Sequence, residues 1–188
     1  MSLLSALAGK TQSLTQIYKT VTEMKTKKLT FLALSICIAL ILSYIEAILP
    51  PISAQVPGIK MGLGNIIIVF VLYRYSLKEA AIVSACRLVI SSLLFSNPVT
   101  FVYGAAGALL SLLVMALFKK LNFLSTVGVS VLGAVCHNLG QIIVAMLFLK
   151  TIEIGYYMII LTLTGIIAGI LIGLCAAYLT RALKNIGN

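Results

Sequence analysis

The run TVGVSVLGAVCHNLGQIIVAMLFL, residues 126–149, contains no carboxylate, lysine or arginine, yet His137, Asn138 and Gln141 sit near its middle. Crossing a bilayer takes about 20 predominantly apolar residues, because each residue of a helix rises about 1.5 Å against a hydrocarbon core of roughly 30 Å. The apolar residues are continuous rather than alternating, so the run reads as a membrane helix and not as a barrel strand. Three polar side chains inside such a helix need partners that lipid cannot supply, so they must face protein or water.

The rest of the chain repeats the pattern. Of 188 residues, 61% are hydrophobic and 10% charged, too little polar surface to cover a water-soluble domain of this size. Apolar runs at 30–49, 60–75, 79–96, 98–118, 126–149 and 156–180 predict an all-α, polytopic membrane protein with six transmembrane helices in one bundle. Residues 1–29 form an N-terminal tail in which Leu14, Ile17, Tyr18, Val21 and Met24 recur at helical spacing, the pattern of an amphipathic surface helix. Residues 30–180 form the binding domain and 181–188 a short C-terminal tail.

Basic residues set the expected orientation. Lys10, Lys19, Lys25, Lys27 and Lys28 precede the first span; Arg74 and Lys78, Lys119 and Lys120, and Arg181 and Lys184 follow every second one. The alternate loops hold only Lys60 and Lys150, so the positive-inside rule places both termini in the cytoplasm. The net charge of +10 is then a basic face meeting anionic membrane lipid, with no nucleic acid needed to explain it.

With that orientation the embedded polar groups fall in one half of the bilayer. Glu46 lies near the outer end of the first span, Lys60 at the outer boundary, Asn65 one turn deeper, and Arg87 near the middle of the third span. Tyr103 lies in the outer part of the fourth span and His137, Asn138 and Gln141 in the fifth. A charge at mid-bilayer costs about 3 kcal/mol on insertion scales, so Arg87 must face protein or water, with Glu46 as its natural partner. The expectation is a polar cavity open to the outside, lined by these eight residues and taking a small, anionic or strongly hydrogen-bonding molecule. Its cover would be the proline-rich loop ILPPISAQVPGIKMG, residues 48–62.

Other chemistries are not assigned. Cys37, Cys86, Cys136 and Cys175 lie inside spans without metal-type spacing. The chain has no aspartate, and Glu23, Glu46, Glu79 and Glu153 are scattered, so no acidic metal cluster for prenyl transfer can be assembled. No catalytic, metal or cofactor set is therefore expected. Small residues repeat every fourth position at Ser35, Ala39, Ser43 and Ala47, at Gly104 and Ala108, and at Gly165, Gly169 and Gly173. Such stripes let helices approach closely, and at least one is expected to be free for a partner.

The segments LSYIEAILP, PGIKMGLGNIIIVFVLY, CRLVISSLLF, YGAAGALLSLLVMALFKK and GVSVLGAVCHNLGQIIVA, in this order, resemble the Gx transporter family, also called heptaprenyl diphosphate synthase component I, over roughly residues 30–180. That family is similar in architecture to the substrate-binding S components of energy-coupling factor (ECF) vitamin transporters. The resemblance implies a multi-pass subunit of a bacterial plasma membrane that captures a vitamin-like metabolite from outside. It also implies a scaffold subunit and two ATPases as partners, docked on the small residues of the first helix, here Ser35, Ala39 and Ser43. The chain has no Walker motif, so ATP hydrolysis would belong to those partners. The alternative, from the synthase name, is a non-catalytic membrane subunit of a polyprenyl diphosphate synthase that handles an isoprenoid lipid.

Overall fold

The computed structural model describes residues 2–48, 62–95, 97–150 and 152–183, with the side chains of residues 2–24, 154 and 157 left out of the description. These residues form six α-helices: α1 (Ser2–Ile48), α2 (Asn65–Arg74), α3 (Leu77–Leu94), α4 (Pro98–Leu121), α5 (Thr126–Leu149) and α6 (Tyr157–Ala182). A single 3₁₀ turn, Glu153–Tyr156, leads into α6. Residues 1–34 make one compact unit, the leading part of α1, and residues 35–188 make a second. The site lies in the second.

Among the described residues four segments are long and apolar enough to cross a membrane: Lys25–Ile48, Pro98–Leu121, Thr126–Leu149 and Met158–Ala182. The fold is that of a multi-pass membrane protein. One expected span is corrected in length. The second, expected at 60–75, is helical only from Asn65 to Arg74, after a turn in which Gly62 adopts φ +83°. Ten residues reach about 15 Å, half of a hydrocarbon core. The third, α3, has 18 residues but carries Lys78 and Glu79 in its first turn and Arg87 within.

Local signals set the ends. Ser76 caps α3 by accepting from the Lys78 N–H, and its hydroxyl donates to Glu79, a side-chain pair at capping-box spacing. Asn97 caps α4 by accepting from the Thr100 N–H at 2.8 Å, with Pro98 in the first turn where no amide donor is needed. Ser125 caps α5 through the Gly128 N–H. Asn122 and Lys150 end α4 and α5 in the left-handed conformation, each with φ 50°.

Within the second unit the helices close a ring: α2 packs on α3, α3 on α4, α4 on α5, α5 on α6, and α6 back on α2. Glycine makes the α4–α5 contact possible, since a Cβ on Gly140 would fall 2.8 Å from the Ala106 carbonyl oxygen and from Gly107 Cα. Along α6, Cβ atoms on Gly169 and Gly173 would fall 2.6 and 2.7 Å from Val131 Cα and Val127 Cα of α5. The expected partner stripes are thus used inside the chain. The same correction applies to α1, where Ser35, Ala39 and Ser43 are 4%, 0% and 6% exposed. Their small side chains turn inward, and the face of α1 that remains exposed carries Ile38, Ile41, Tyr44 and Ile45 instead.

Candidate functional site

Ser43 and Glu46 stand three residues apart on the buried face of α1, and Arg87 and Ser91 four apart on that of α3. His137 and Gln141 repeat the four-residue spacing on α5. All six line one small cavity, with Gly62, Thr100, Phe101 and Gly104 closing its sides. Its volume is about 40 Å³.

Arg87 is the centre of this arrangement. Its guanidinium donates to Ser43 Oγ at 3.3 Å and to Asn65 Oδ1 at 3.4 Å, joining α1, α2 and α3. Gly64 makes room for it, because a Cβ there would collide with Arg87 Nη1 and come within 2.8 Å of Ser43 Oγ. Glu46 accepts from the Gly62 N–H at 2.5 Å and the Leu63 N–H at 3.2 Å, so its carboxylate ties the entry of α2 to α1. Within one cavity Glu46 offsets the charge of Arg87.

On α5 the Gln141 amide donates to His137 Nε2 at 3.1 Å, which leaves the ring proton on Nδ1. The imidazole lies against Gly107, where a Cβ would come within 2.9 Å of Nδ1. Arg87 Nε and Gln141 Oε1 are fully buried and have no hydrogen-bond partner among the described residues. A donor and an acceptor left so in a low-dielectric site are costly, about 1–3 kcal/mol each, unless something else completes them.

Five of the eight expected binding residues converge: Glu46, Arg87, His137 and Gln141 on the cavity wall, and Asn65 through its bond to Arg87. Two do not. Asn138 turns away and donates to the Leu161 carbonyl at 2.7 Å, a tie between α5 and α6. Tyr103 is packed with Ile142, Ala145 and Leu161 and meets Phe148 edge-on, with ring centroids 6.2 Å apart, which is apolar core. Lys60 lies outside the described residues, as do residues 49–61 of the covering loop. The expectation missed Ser43, assigned to docking, and Ser91, although each lies one turn from a charged residue on the same helix face.

A comparison with family models finds the heptaprenyl diphosphate synthase component I family over residues 36–179. The chain belongs to this family. Comparisons with curated proteins and with solved structures return no significant match. The matched region of this component I chain takes in every residue of the cavity, whereas likeness to ECF S components has no support from these comparisons.

Proposed function

We propose that this chain is the non-catalytic membrane subunit of a prenyl diphosphate synthase, and that its cavity holds the phosphate-bearing end of an isoprenoid. The observation that carries this reading is Arg87: a buried guanidinium with an unpartnered Nε, lining one cavity with Gln141, whose Oε1 is also unpartnered among the described residues, in a chain of the component I family. A guanidinium presents a planar fork of donors matched to phosphate oxygens, and such charge-assisted bonds are roughly twice as strong as neutral ones. With four glutamates and no aspartate, prenyl transfer itself is assigned to a partner chain. Both termini face the cytoplasm in this reading, supported by the alternation of basic loops.

The test is binding of a prenyl diphosphate to the purified full chain in lipid nanodiscs. Saturable binding that weakens in Arg87→Gln is expected; absence of binding overturns the reading.

A second reading, capture of a vitamin-like metabolite for an ECF-type transporter, is supported by the convergence of polar groups from α1, α2, α3 and α5. Size weighs against it. Pockets for whole organic ligands run to roughly 300–1,000 Å³, and this one has about 40 Å³. Retention of a water-soluble vitamin through purification would favour this second reading.

A further inference from the structure

The polar cavity does not stand alone. A second hollow of about 270 Å³ runs between α3 and α4, and Leu88 and Phe101 line both. Its remaining walls are Ala81, Ser84 and Ala85 from α3 and Ala105, Ala108 and Leu112 from α4, a concave strip made by small side chains. Val89 and Leu109 form its rims and are 47% and 64% exposed, so the groove opens sideways. Between Phe101 and Leu112 it follows α4 for about 16 Å at 1.5 Å per residue.

The two hollows differ in chemistry as well as size. One end offers a guanidinium, an imidazole, an amide, the Glu46 carboxylate and the hydroxyls of Ser43, Ser91, Ser92 and Thr100 in a space for a few heavy atoms. The other offers almost only methyl and methylene groups in several times that volume. A wholly polar metabolite fits the first and wastes the second, whereas a plain lipid tail fits the second and leaves Arg87 Nε and Gln141 Oε1 unanswered. An amphiphile with a small polar head and a branched apolar chain answers both.

We infer that the isoprenoid chain of the ligand leaves the polar cavity between Leu88 and Phe101 and lies in the α3–α4 groove, so that the site is loaded laterally from the membrane. This rests on the head-group reading above and adds the path of the chain and the side of entry. Lipid tails are as apolar as the groove, so the chain gains little by leaving them. Selectivity then comes from the head in the cavity together with the fit of chain methyls against Ala85, Ala105 and Ala108.

The test uses a prenyl diphosphate bearing a diazirine on the isoprene unit next to the head, with the full chain in nanodiscs. The photolabel is expected on peptides containing Leu88, Phe101 or Ala105. Filling the groove by Ala105→Trp should weaken prenyl diphosphate binding by about tenfold, the scale of overpacking a fitted site, while leaving affinity for inorganic diphosphate unchanged. Ala85→Phe enters the same groove from an exposed position of α3 and should act alike if Ala105→Trp fails to fold. Leu163→Trp, on an exposed face of α6, should change neither affinity. If inorganic diphosphate binds and both groove variants retain full prenyl diphosphate affinity, or the label falls on α1 or α6, the lateral path is overturned while the head-group site stands. If neither prenyl nor inorganic diphosphate binds, the head-group reading falls and the path with it.

Discussion

Arg87 and Glu46 have opposite roles toward an anion although they share one cavity. Arg87 supplies the donors; Glu46 anchors the Gly62–Leu63 turn and at the same time repels a phosphate. Two signed predictions follow from that division. Arg87→Gln should lower prenyl diphosphate affinity by roughly 10- to 100-fold, the equivalent of about 1.5–3 kcal/mol for a hydrogen bond to a charged group, measured by equilibrium binding. Glu46→Gln should lower the thermal stability of the ligand-free protein, because a buried guanidinium loses its counter-charge, and should enlarge the stabilisation that prenyl diphosphate confers. A Glu46→Gln variant with unaltered stability and weaker binding would contradict this account. Gly64→Ala belongs to the same scale: its φ of −59° accepts a side chain, but the new methyl occupies the place of Arg87 Nη1 and should cost binding far more than folding.

Among the elements, α5 shows how much a polar helix face can and cannot disclose. A charge-free run with a histidine, an asparagine and a glutamine was legible as a membrane helix with an inward polar side, and the four-residue spacing correctly paired His137 with Gln141. Asn138 was misplaced because it lies about 100° from His137 around the helix, which points it at α6 rather than at the cavity. Which neighbour stands at that angle is a matter of helix order in space, and one sequence does not contain it. The same gap explains Ser35, Ala39 and Ser43: a small-residue stripe predicts close approach but not to whom. Asn138→Leu should therefore cost about 1 kcal/mol of stability, typical of one interhelical hydrogen bond in a membrane, and leave ligand affinity unchanged. Gly140→Leu should be far worse, since the added atoms meet the α4 backbone, which cannot turn aside. Thermal unfolding of both variants in one detergent compares them directly.

For the whole molecule, composition and span count gave the class, while the length of α2 came only with the structure. A ten-residue α2 that begins below a glycine turn places Asn65 and the Gly62 and Leu63 amides inside the bundle, where a full-length span would have carried them toward its outer end. The short helix is what brings Glu46, Asn65 and Arg87 within reach of one another. At the C-terminal end of α2, Lys119 of α4 donates to the Leu72 carbonyl and stands 5.4 Å from the centroid of the Tyr73 ring, closing α2 against α4. In the proposed orientation, read from the basic loops, that end lies in the cytoplasm. A thiol-reactive, membrane-impermeant label should therefore modify an introduced cysteine at Lys120, which is exposed, only after the membrane is opened.

The measurement that bears most directly on the account is equilibrium binding of a prenyl diphosphate to the full chain in nanodiscs, compared between the native protein and Arg87→Gln. The account predicts saturable binding to the native chain and a loss of roughly tenfold or more in the variant with its thermal unfolding still cooperative. Equal affinity in two folded proteins, or no binding to the native one, would contradict it.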